Sequence, residues 1–130
     1  MFAIGKIEQR LGHQKEALDW LLRARELEPR NTSIAKEICA TASGLEMHGI
    51  AARIADDAIE HNNDDPALRI NSGLAHILAG NCEVALERFK EAVRMEPTQL
   101  NEKLQAYAVR VLTGMLPRPT TETDIMKMLR

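Results

Sequence analysis

The residues able to do acid–base, nucleophilic or metal chemistry are few in this chain, and they are scattered. There are four histidines, His13, His48, His61 and His76, and two cysteines, Cys39 and Cys82. Imidazole ligation on a helix needs a pair one turn apart, and no two of these histidines form H-x-x-x-H. The cysteines give neither a C-x-x-C pair nor a zinc-ligand spacing. No G-x-S-x-G elbow, phosphate-cradling P-loop or G-x-G-x-x-G turn is present. Asp56-Asp57 reads as a solvated helix face and Asp64-Asp65 as a helix cap. No nucleophile, base and orienting group are brought together by these spacings. The expectation is a chain with no enzyme activity, no catalytic residue, no metal and no cofactor.

Composition narrows the field further. The chain has 130 residues, a net charge of −2 at neutral pH, 45% apolar residues and 3% aromatics. That charge exerts no net pull towards nucleic acid or an anionic membrane, so neither is expected as a partner. No apolar run approaches the ~20 residues of a membrane span. Met1 is not followed by the basic and apolar regions of a secretion signal. Cys39 and Cys82 read as reduced, semi-buried thiols, with Cys82 in a turn and the more exposed of the two. These features point to the cytoplasm, although a presequence removed before Met1 would leave the same residues. With aromatics scarce, the core must be Ala, Leu, Ile, Val and Met, a mix that favours helix.

The elements that must position any site show in the internal spacing. At an offset of 34 residues Ala17, Ala51 and Ala85 align, as do Ala24, Ala58 and Ala92. Gly5, Cys39 and Gly73 share a column. So do Leu21, Ala55 and Phe89, then Pro29, Asn63 and Pro97; Gly12 and Gly80 share one with Glu46 between them. Each unit splits into two helical patterns. In the first, Ala17, Leu18, Leu21, Ala24 and Leu27 form an apolar stripe on one face of a helix. In the third, Asp65-Pro66 is an N-cap with proline at the first helical position. Gly80-Asn81 breaks that pair and Pro97 stops it. The middle unit is the most degenerate, with a weakly capped turn at Glu46-Met47-His48-Gly49.

The aligned small residues, the glycine between helices and the closing proline resemble the tetratricopeptide (TPR) repeat, a 34-residue helix-turn-helix. The first unit matches through Ile4-Gly5, Gly12, Ala17, Leu21, Ala24 and Pro29, the third through Gly73, Gly80, Ala85, Phe89, Ala92 and Pro97. The likeness covers about residues 1–99. It implies an all-α fold, a TPR-like α-α superhelix: a right-handed solenoid of antiparallel helical hairpins. Residues 1–115 would hold three hairpins, about 1–30, 31–64 and 65–98, and a capping helix at 99–114. Residues 116–130 would be a proline-containing linker and a short amphipathic helix, opened by a Thr121-to-Asp124 capping box. A helix of about eight residues cannot stand alone in water, so it must dock, fray or continue.

The resemblance also implies where a ligand would lie. In tetratricopeptide arrays the first helix of each hairpin lines a concave groove. Carried over by position, the groove residues are Phe2, Lys6, Gln9 and Arg10 from the first unit and Ser33, Lys36, Ala40 and Ser43 from the second. The third unit supplies Ala67, Ile70, Leu74, Ile77 and Leu78. The groove is basic and polar at one end and apolar at the other. It suits a peptide or protein segment with a carboxylate part and an apolar anchor. The bland reading is that the cations are a solvated face and the apolar set packs on the Thr98–Thr113 helix. The two-carboxylate clamp of chaperone-binding members does not match: Phe2, Lys6, Glu37 and Asn71 stand at its lysine, two asparagine and arginine positions.

The expected role is therefore a non-enzymatic, scaffold-type module for protein–protein interaction. The abrupt first helix adds the expectation that this is a piece of a larger protein. Two alternatives stand beside it. One is a structural segment forming a homo-oligomer through its end helices. The other is the recruiting arm of an enzyme whose catalytic domain lies elsewhere.

Overall fold

The computed structural model describes residues 12–62 and 64–129, and the described residues hold seven α-helices and no strand. They are α1 (Gln14–Leu27), α2 (Thr32–Gly44), α3 (His48–His61), α4 (Pro66–Leu78), α5 (Cys82–Met95), α6 (Gln99–Leu112) and α7 (Glu122–Leu129). Consecutive helices pack on one another from α1 to α7. α2 and α3 make one hairpin and α4 and α5 the next, and α6 covers the last. α2 also touches α4 directly, so the opening helices of successive hairpins line one side of the stack.

The two kinds of helix start differently. α2, α4 and α6 follow an extended residue whose side chain caps them. Asn31 accepts from the Ile34 amide at 3.2 Å, Asp65 from Ala67 at 2.9 Å, and Thr98 from Asn101 at 3.1 Å. The returning helices α1, α3 and α5 make no side-chain cap bond. Tight turns of the Schellman type launch α3 and α5 instead. The Asn81 amide donates to the His76 carbonyl at 2.7 Å across Gly80, whose φ is +91°.

The middle hairpin makes the same turn with the wrong residue. The Met47 amide donates to Ala42 at 2.8 Å across Glu46, which is held at φ 59°. A left-handed residue with a Cβ is strained by about 1–2 kcal/mol, part of which glycine would return as lost chain entropy. Glu46→Gly is expected to stabilise the chain by about 0.5–1 kcal/mol, read as a higher urea midpoint. No gain would mean that the turn tolerates glutamate without strain.

The alanine columns lie where the hairpins close. Ala17, Ala85 and Ala92 are 0% exposed and Ala24, Ala51 and Ala58 at most 3%. Two apolar clusters result. One joins α1 to α4 through Leu21, Ile34, Ile38 and Leu68. The other joins α4 to α7 through Ile77, Phe89, Leu104, Tyr107 and Ile125. Cys82 departs from expectation. It opens α5 and is buried in the second cluster, because α6 packs over the start of that helix.

Candidate functional site

The side of the stack lined by α2 and α4 carries the residues expected to meet a ligand. Phe2, Lys6, Gln9 and Arg10 lie outside the described residues. Ser33 and Ala40 are exposed on α2, and Lys36 and Ser43 are half-buried beside them. On α4, Ile70 and Leu74 are half-buried, whereas Ile77 is 1% exposed and belongs to the core. The α2 and α4 sets meet at one depression of about 160 Å³, lined by Lys36, Ala40, Ser43, Asn71, Leu74 and Glu122 of α7. A wider one of about 600 Å³ continues past Ile70 towards Leu100.

Lys36 is not a bare cation. Its ammonium lies 2.6 Å from Asp65 Oδ2, while Asp65 Oδ1 caps α4. Burial pushes the Asp65 carboxyl up, but its bonds to Lys36 and the Ala67 amide outweigh this and hold it below its ordinary value. An incoming carboxylate would therefore exchange with Asp65. The pair is part-exposed, and such pairs contribute only about 0–1 kcal/mol, so the exchange is easy. Cys39 borders the same depression. Burial pushes its thiol up to about 12, against the opposing pull of Arg25 and helped by Asp56. It is a neutral packing group that donates weakly to the Ala51 carbonyl at 3.6 Å.

α7 closes this side. Glu122 Oε1 accepts a hydrogen bond from Ser43 Oγ at 2.7 Å, and Ile125 is 1% exposed within the second cluster. Burying one such aliphatic chain is worth about 1.5–3 kcal/mol. The first turn of α7 is held by reciprocal bonds. Asp124 Oδ2 accepts from the Thr120 and Thr121 amides at 3.0 and 3.3 Å, and the Asp124 amide donates to Thr121 Oγ1 at 3.3 Å. The Thr120 amide and hydroxyl accordingly hold the Asp124 carboxyl below its ordinary value.

The opposite side holds a polar network that the sequence reading missed. Ser72 Oγ donates to Asp56 Oδ1 at 2.6 Å, and His76 Nε2 lies 2.8 Å from Asp56 Oδ2. Arg88 bonds Asp56 at 3.2 Å, Ser72 at 3.1 Å and Glu91 at 3.3 Å, and Arg69 bonds Glu91 at 3.1 Å. Asp57 pairs with Arg25 of α1. The Asp56-Asp57 pair expected on a solvated face thus ties α1, α3, α4 and α5 together. The signal in the sequence was Arg69, Ser72 and His76, polar residues one turn apart along one face of α4.

A serine, a histidine and an aspartate in contact invite a catalytic reading, but the order is wrong for it. Attack by serine needs the imidazole between hydroxyl and carboxylate. Here the carboxylate lies between the other two, and Ser72 is 0% exposed. The network borders an open depression of about 830 Å³, in which Arg25 meets Asp57 and His76 meets Asp56, and which Glu26, Arg53 and Glu60 also line. Among the described residues no three His, Cys, Asp or Glu converge to hold a metal ion, and no helix is long and apolar enough to cross a membrane.

No protein-family model and no curated protein matches the sequence. Solved structures do match. The first TPR of Spaghetti (RPAP3) bound to the HSP90 peptide SRMEEVD superposes with a TM-score of 0.77 at 16% identity, over 86% of this chain and 90% of that one. MamA MSR-1 gives 0.75 at 19% identity, over 98% and 72%. PcrH in complex with the chaperone binding region of PopD gives 0.67 at 17% identity, over 87% and 86%. At these identities the likeness is one of fold. The chain has the tetratricopeptide architecture of stacked helical hairpins.

Proposed function

We propose that this tetratricopeptide-fold chain is a non-enzymatic interaction module holding a peptide or protein segment against the side lined by α2 and α4. The observation that carries this reading is the make-up of that side. Lys36, Ala40 and Ser43 of α2 line one depression with Leu74 of α4, and Ile70 lines the next beside the shared Asn71, a strip that is polar on α2 and apolar on α4. Such a strip recognises a segment by a carboxylate and an aliphatic anchor together. Two structures of the same fold support it, since one holds an HSP90 peptide and another the chaperone binding region of PopD.

The ligand class differs from a two-carboxylate chaperone tail. By position, Glu37 and Asn71 stand where such a clamp has an asparagine and its arginine, and the Glu37 carboxylate repels a terminal carboxylate placed beside it. The test offers the immobilised chain a peptide library of varied charge. Peptides joining a carboxylate to an aliphatic residue are expected to be retained. The triple variant Lys6→Glu, Arg10→Glu, Lys36→Glu should retain them about tenfold less, the equivalent of about 1.4 kcal/mol. Equal retention by chain and variant would remove the basic end from the reading.

A further inference from the structure

α7 presents to the α2–α4 side the same two kinds of group that the proposed ligand would carry. The Glu122 carboxylate meets Ser43 in the depression that Lys36 and Leu74 also line. Three residues on, Ile125 enters the apolar cluster against which Ile70 and Leu74 of the strip pack. That spacing places both groups on one helix face, and Met126, Lys127 and Met128 on the other faces are exposed. A helix that only covered α6 would have no reason to send its carboxylate to the second hairpin. Glu122 and Ser43 are 79 positions apart in the sequence, and their bond sets the first turn of α7 against α2, beside Lys36 and Leu74.

We propose that α7 is a built-in occupant of this strip. The external partner is then a short amphipathic segment with a carboxylate followed three residues on by an aliphatic side chain, and it binds by displacing α7. The inference rests on the module reading above. The footing of α7 suits displacement. It has eight residues, one fully buried side chain, Leu129 half-buried, and an exposed bond at Glu122. A helix so short has no stability of its own, and elements so lightly attached open below the global unfolding free energy. The Thr120, Thr121 and Asp124 bonds are local to the segment, so the first turn can re-form whenever α7 returns. A competing segment then sees only the open fraction of the strip.

The probe is a labelled synthetic peptide with the sequence of residues 117–129, titrated into the full chain and into the full-length Ile125→Asp chain. The peptide is expected to bind the variant about tenfold tighter or better, because the variant no longer fills its own strip. A peptide carrying the same Ile-to-Asp change should bind neither. Equal affinity for both chains would overturn the displacement and leave the module reading standing. No binding to a folded variant would overturn the inferred ligand chemistry. Failure of the module reading shows separately, as a library from which nothing is retained. Amide exchange on the unaltered chain guards against a variant that fails to fold. Amides of 125–129 should exchange as a unit about tenfold or more faster than those of α4 and α5. Exchange of α7 only at their rate would overturn the proposal.

Discussion

Gly73→Val is expected to lower stability by about 3 kcal/mol, a large part of what a domain of this size has. A Cβ on Gly73 would lie 2.4, 2.7 and 2.9 Å from three atoms of the Phe89 ring. Phe89 is 0% exposed within the cluster that joins α4 to α7, so the ring has nowhere to retreat. Gly-to-Ala inside a helix ordinarily gains up to about 1 kcal/mol in propensity. Here that gain is opposed by an overpacking cost of about 1–3 kcal/mol, and valine adds two methyl groups and a stiff χ1. Urea midpoints should therefore fall in the order parent, Gly73→Ala, Gly73→Val. Phe89→Leu made alone should destabilise, yet combined with Gly73→Ala it should cost less than the two changes summed. A neutral or stabilising Gly73→Ala would mean that close approach to Phe89 is not why glycine stands there.

That pair shows what the sequence made legible. Gly5, Cys39 and Gly73 form one column and Leu21, Ala55 and Phe89 another, and the 34-residue offset reveals both. The offset does not say that the two columns touch, nor that the smallest residue of one is matched to the largest of the other. Periodicity within a helix fixes which face is buried; the partner of that face is set by the stack. The same limit explains Lys36. Its position on the ligand-facing side could be read from the repeat, but its pairing with Asp65 could not, because the sequence gives Asp65 only as a cap. One carboxylate serves both roles with its two oxygens. Cys82 and Ile77 were misplaced for a related reason. Each would be more open on an isolated hairpin, and each is covered by chain that follows it, α6 for one and the α6–α7 region for the other. The covering segment itself had a readable start, the capping box at Thr121 to Asp124, but nothing local to it names the surface on which Ile125 lands.

The network around Asp56 left only a faint mark on the sequence for the opposite reason, since its members come from three helices and no repeat position demands them. Its removal should have the second largest effect. Asp56→Ala takes away the acceptor of the fully buried Ser72 hydroxyl and of Arg88, and leaves His76 Nε2 without its carboxylate. Hydrogen bonds to a charged group are worth about 1.5–3 kcal/mol, and stranding the buried donor adds to the loss. The Asp56 side chain is 35% exposed, so water recovers part of it, and about 2 kcal/mol is expected. Acid should show the same residue at work. Burial pushes the Asp56 carboxyl up, but the bonds from Ser72 and His76 and the charges of His76 and Arg88 outweigh it, and the folded value lies below the ordinary one. A carboxyl depressed on folding stabilises fully above its unfolded value, about 3.9, and loses that contribution as pH falls through the folded value. The urea midpoint of the parent should accordingly drop below about pH 4, and that of Asp56→Ala should drop less. Some acid sensitivity must persist in the variant, because Asp65 is depressed in the same direction by Lys36 and the Ala67 amide. Parallel acid profiles for parent and variant would show that the Asp56 bonds stabilise the stack no more when its carboxylate is charged than when it is neutral. Lys36→Met then isolates the rest, since it removes the Lys36–Asp65 contact and leaves the cap bond to Ala67 in place.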